Sequence, residues 1–124
     1  MLAIGLNFQL ETAPSAPRHA REALAPLTGE LGDELLTDLR LVVTELVTNS
    51  VLWGPGGPIS IGLEVDDDRC IRGYVDDGGS FGIEMVEGDP IEATGLGLQI
   101  VSALCRDWGV YPNSTRVWFE LGSD

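Results

Sequence analysis

The stretch 41-LVVTELVTNSV-51 decides how the rest of the chain reads. Around it, Leu35, Leu39, Val42, Val43, Leu46, Ser50 and Trp53 recur three or four residues apart, which predicts one apolar stripe on a helix over Glu34–Trp53. Gly32-Asp33 caps its start, and Gly54-Pro55-Gly56-Gly57-Pro58 ends it. Within the stretch, Glu45 and Asn49 are four apart, so their side chains stack on one face. A carboxylate and an amide carbonyl in that register can hold a hard, oxygen-seeking cation such as Mg²⁺. The same pair also suits the solvated side of an amphipathic helix.

Upstream, residues 2–10 alternate around Leu2, Ile4, Leu6, Phe8 and Leu10 with the period of a half-buried strand. Ser15 then has the chemistry of a helix cap, with Pro17 in the first turn. Ala20, Ala23, Leu24, Leu27 and Leu31 continue a helical face that Pro26 should kink or end, with Arg18, His19, Arg21 and Glu22 toward solvent. Downstream, strands are expected at 59–65 and 70–75. The turn between them, Asp66-Asp67-Asp68, departs from a calcium loop because Cys70 stands where an oxygen ligand belongs. Residues 76–94 carry five glycines and prolines among scattered acids and read as a long loop of the kind used for binding. A helix from Gly95 to about Asp107, buried through Ile100, Val101 and Leu104, precedes strands at 109–111 and 116–121. The order β-α-α-β-β-loop-α-β-β predicts an α+β fold over residues 1–124 as one domain. It is a two-layer α/β sandwich in which a mixed, mostly antiparallel sheet carries helices on one face.

Composition narrows the functions. The 124 residues, 13.3 kDa, hold 20 acids against seven basic residues, all arginine, for a net charge of −13 and a pI near 4.1. Such a surface excludes nucleic acid and anionic membrane as direct partners, since both need a basic footprint. The absence of lysine excludes a Walker-type phosphate lysine and Schiff-base chemistry. Two cysteines, Cys70 and Cys105, are too few for a disulfide framework and are expected as reduced thiols. No apolar run reaches the ~20 residues of a membrane span, and no basic stretch precedes the opening apolar segment. A cytoplasmic protein is expected.

Two further constellations could carry chemistry. In 75-VDDGG-79 an acid followed by glycines lets a planar ligand approach the backbone while a carboxylate accepts its N–H donors; a tight turn with a capping Asp is the other reading. In 94-TGLGL-98 glycines lead into a helix whose free N–H groups form a natural phosphate cradle. It departs from the dinucleotide fingerprint, because Ile100 stands where the third glycine belongs. His19 is the only histidine and reads as a surface residue, and zinc ligands are lacking. A hydrolase pair from Asp76 and Asp77 is disfavoured because adjacent strand residues point to opposite faces.

The ELVTN helix, the hairpin ending in VDDGG, the flexible loop and the GLGL helix start, in that order, resemble the nucleotide-binding boxes of the GHKL ATPases, whose fold is the Bergerat sandwich. The phrase LVVTELVTNSV is most similar to the anti-sigma factor serine/threonine kinases of bacteria, and the likeness runs from the first strand to the closing VWFEL. That resemblance implies Glu45 as general base toward a protein serine, Asn49 as a ligand to Mg²⁺, and Asp76 as acceptor for the adenine amine of ATP. It implies Gly78 and Gly79 at the base, Thr94, Gly95, Leu96, Gly97 and Leu98 around the phosphates, residues 80–94 as a lid, and Thr115 on the adenine side. Its partners would be a sigma factor and an anti-sigma factor antagonist of the STAS type, and such relatives commonly form homodimers. The sequence departs from the family pattern at Ser80, where a glycine usually stands, and in a short lid without basic residues. Two functions follow: an ATP-dependent protein kinase that sequesters a sigma factor, or a partner-binding module of the same fold with little or no ATP turnover.

Overall fold

A computed structural model describes residues 4–66, 68–79, 96–112 and 114–122. Strand β1 (Ile4–Leu10) alternates half-buried and exposed residues and leads into helix α1 (Ala16–Ala23). Ser15 occupies the N-cap position of α1 but makes no capping hydrogen bond with its side chain. The predicted helical face through Leu31 breaks at Ala23. Pro26 lies in a separate 3-10 turn, Ala25–Leu27, because its ring and missing N–H are tolerated in a first turn and not inside a helix.

Helix α2 spans Asp33–Trp53. Strands β2 (Ile59–Val65) and β3 (Cys70–Asp76) follow as a hairpin. Helix α3 (Leu96–Leu104) is shorter than the predicted run to Asp107, and Asp107 instead starts strand β4 (Asp107–Val110), two residues ahead of the expected position. Strand β5 (Val117–Gly122) closes the chain. The sheet runs β1-β2-β3-β5-β4, and its four pairings are all antiparallel. No described helix is long and apolar enough to cross a membrane.

Inward residues Ile61, Leu63, Val65, Ile71, Val75, Phe119 and Leu121 meet the helical layer in one core. α2 is its centre, flanked by α1 and α3. That double flank widens its buried arc to Leu36, Leu39, Val42, Val43, Leu46, Val47 and Ser50. The stripe read from the sequence therefore needs two corrections. Leu35 is only half-buried, and Trp53 is 64% exposed. Arg21 Nη1 donates to Thr44 Oγ1 at 3.2 Å and fastens α1 to α2. Both cysteines are free thiols.

Candidate functional site at the end of strand β3

Strand parity decides what the VDDGG segment can do. Ile71, Gly73 and Val75 of β3 face the helices: Val75 is 1% exposed, and a Cβ on Gly73 would meet Leu63 and Phe119. Arg72, Tyr74 and Asp76 therefore face the other side of the sheet. Asp76 lies opposite Ser60 in the register and accepts a hydrogen bond from the Gly78 N–H at 2.9 Å. The next residue, Asp77, turns inward. It is 5% exposed, one of two buried polar residues in the described chain. The structure thus puts Asp77, rather than the expected Asp76, on the side where α2 lies.

Asp77 is held from three directions. Its Oδ1 accepts from the Gly79 N–H at 3.0 Å and from the Thr115 hydroxyl, 38 residues away in sequence. Its Oδ2 faces Gly54, the C-cap of α2, where a Cβ would lie 2.7 Å from it and would also press on Ser50 O. Gly54 is thus the residue that lets α2 end directly on the carboxylate. Gly79 is equally confined: a Cβ there would sit 2.7 Å from Thr115 Oγ1. The Thr115 N–H returns to Gly79 O at 3.3 Å, so residues 77–79 and 115 form one closed hydrogen-bonded unit. Gly78, exposed and at φ +77°, makes the left-handed turn between them.

Glu45 and Asn49 are both half-buried on α2, one turn apart, with Asn49 next to Ser50 and hence near Gly54. Asn49 Nδ2 is buried, and no described residue accepts from it. An amide left open in this way carries a cost of about 1–3 kcal/mol, which a ligand or an undescribed part of the chain would relieve. Leu96 and Gly97 are the first residues of α3, and Leu98 is 3% exposed in the core, so its side chain anchors the helix rather than facing a ligand. Thr94, Gly95, Ser80 and the expected lid at 80–94 lie outside the described residues. Among the described residues no group of three or more His, Cys, Asp or Glu converges as a metal site.

Reading the sequence missed Asp77 and Gly54. The signal for Asp77 was present, since counting alternate residues from Ile71 through Val75 reaches it. No local signal marks Gly54, whose role depends on where β3 ends in space.

No protein-family model and no curated protein matches the chain. Solved structures do. A crystal structure of the RsbU and RsbW domains of Rv1364c from Mycobacterium tuberculosis superposes with a TM-score of 0.69 over 95% of this chain, at 18% identity. The chain spans 31% of that molecule. At this identity the likeness is one of fold. The chain shares its fold with part of that molecule, and the five-stranded sheet under a helical layer is the two-layer α/β sandwich that the order of elements predicts.

Proposed function

We propose that the chain binds ATP and transfers its terminal phosphoryl group to a serine or threonine of an anti-sigma factor antagonist, and that it also holds a sigma factor. The observation that carries this reading is the buried Asp77 unit, closed by Thr115 and Gly79 and abutting Gly54. A carboxylate with one oxygen committed to protein donors and the other at a glycine-lined edge is suited to accept the exocyclic amine of adenine. Asp77 takes the role that the family resemblance assigned to Asp76.

Asn49 Nδ2, an N–H donor with no acceptor among the described residues, suits a phosphate oxygen of ATP, and the Oδ1 of the same amide is the atom that would meet magnesium. Asn49 would hold the ion together with phosphate oxygens, and Thr94, Gly95 and the first residues of α3 would offer backbone N–H groups to the phosphates. When bound, magnesium neutralises charge on the transferring phosphoryl group. Glu45, half-buried and one turn before Asn49, would take the proton from the acceptor hydroxyl. With a charge of −13, the surface favours partners with basic patches, whose association should slow with added salt more than their dissociation quickens.

Phosphotransfer to a cognate antagonist tests the roles. Glu45→Ala should keep ATP affinity within a few-fold while the rate falls at least ~100-fold. Asn49→Ala should lose magnesium-dependent affinity and rate together. Equal rates in wild type and Glu45→Ala at matched ATP occupancy would reduce Glu45 to a surface acid. The second reading, a partner-binding module with little turnover, draws on Ser80 and on the lack of any lysine to meet phosphate charge. It predicts partner capture without measurable phosphotransfer.

A further inference from the structure

We infer that Arg116 is a positioning residue: gripped between Tyr74 and Tyr111 on the open face of the sheet, it fixes the β4–β5 connection so that Thr115 stays seated on Asp77 across the sheet. This rests on the reading of Asp77 as the base-recognition residue, but the grip itself can be measured without any nucleotide.

Thr115 and Arg116 are consecutive and engage opposite sides of the sheet. Thr115 reaches Asp77 in the helical layer, while the Arg116 guanidinium carbon lies 4.1 Å from the Tyr74 ring centre and 4.7 Å from that of Tyr111. Tyr74 is itself immobilised: a Cβ on Gly62 would run into its ring and lie 2.9 Å from Asn7 Oδ1. The ring thus occupies the space that a side chain at position 62 would need. It is fixed by the β2–β3 register, in which Gly62 opposes Tyr74. The backbone closes the other side, with the Tyr111 N–H donating to Arg116 O at 2.9 Å and the Arg116 N–H to Ser114 Oγ at 3.1 Å.

Arg116 Nε is buried, and no described residue accepts from it, so the guanidinium is held through its faces more than through its edges. A planar cation can present both faces to two rings, and an ammonium cannot. Thr115 cannot leave Asp77 without drawing its neighbour out of that stack. The stack also bounds a groove of about 400 Å³ on the open face that includes Asn7, Tyr74, Tyr111 and Trp118. The two sides of the sheet are therefore mechanically joined at residues 115 and 116.

Amide hydrogen exchange on the nucleotide-free protein reads the grip directly. In Arg116→Ala the amides of Gly79 and Thr115 should exchange at least about tenfold faster than in wild type, while those of β2 keep their wild-type rates. Arg116→Lys should fall between, and Tyr111→Leu, at an exposed ring, should give the same pattern at smaller amplitude. The Kd for Mg-ATP should then rise about tenfold in Arg116→Ala, with the nucleotide-free Tm within about 3 °C of wild type. Unchanged exchange at Gly79 and Thr115 overturns the inference, as does a uniform acceleration over the whole sheet, which would mark simple destabilisation. If the wild type binds no nucleotide, the reading of Asp77 fails, and the exchange pattern still decides for or against the grip.

Discussion

Two acidic turns sit at opposite ends of strand β3, and they behave differently. At its start, Asp66 Oδ1 accepts from the N–H groups of Asp68 and Cys70 at 2.9 and 3.0 Å, and Arg69 adopts φ 63° to close the hairpin. Every one of those bonds is local, and Arg72 adds only a solvent-exposed ion pair at 3.9 Å. At the other end, Asp76 makes the same short-range bond to Gly78, but Asp77 reaches 38 residues along the chain to Thr115 and lies against the end of α2. Both turns are runs of Asp in the sequence. Strand parity and the position of α2 make one of them a self-contained loop closure and the other a buried polar unit. Desolvation is affordable for a carboxylate only where donors meet it, and Thr115 and Gly79 are those donors.

The largest expected effect comes from an acid that burial meets without such donors. The Cys105 thiol is pushed up to about 12 from 9.0, by burial first and then by the charge of Asp38. Its contribution to stability should be complete below pH 9 and lost as pH rises toward 12, because only the unfolded chain releases the proton in that window. Alkylation of Cys105 at about pH 8 should therefore run at least about tenfold slower in the native protein than in the unfolded chain, followed by mass spectrometry. Next, Asp77→Ala should lower the unfolding free energy by about 2–4 kcal/mol in urea titrations, since it strands the Thr115 hydroxyl and the Gly79 N–H in a buried site. Gly54→Ala should cost about 1–3 kcal/mol by forcing a methyl group between Ser50 O and Asp77. Asp66→Ala should cost only ~1 kcal/mol and Arg72→Ala less still, because water replaces what each of them loses. Equal costs at Asp66 and Asp77 would break the contrast between the two turns.

The elements were largely legible because their signals are local. The helical spacing around 41-LVVTELVTNSV-51, the glycine-proline stop at 54–58 and the alternation in β1 and β2 each report on a few neighbours. Boundaries slipped where tertiary context ruled. Trp53 keeps the helical phase and yet is exposed, and Leu36 and Val47 are buried because α1 and α3 flank α2 on both sides. In the candidate site, Asn49 and Thr115 were expected from the resemblance, and the structure places Thr115 on Asp77 and leaves Asn49 Nδ2 without an acceptor among the described residues. The choice between Asp76 and Asp77 required the phase of β3, which Val75 carries. The grip of Tyr74 and Tyr111 on Arg116 could not be read in advance, since it joins three segments through the register of four strands.

The central claim is that Asp77, and not Asp76, faces the nucleotide, and thermal unfolding with and without Mg-ATP tests it most directly. Asparagine is the right substitution at both positions. At position 77 it keeps one oxygen for Thr115 and Gly79 and puts an amide nitrogen, a donor, where the second oxygen would accept from the adenine amine. At about 100 times Kd, bound nucleotide adds ~2.7 kcal/mol, a Tm rise on the order of 10 °C for a chain of this size. Wild type and Asp76→Asn should both show that rise, and Asp77→Asn should show less than about a quarter of it. A full rise in Asp77→Asn together with its loss in Asp76→Asn would contradict the account.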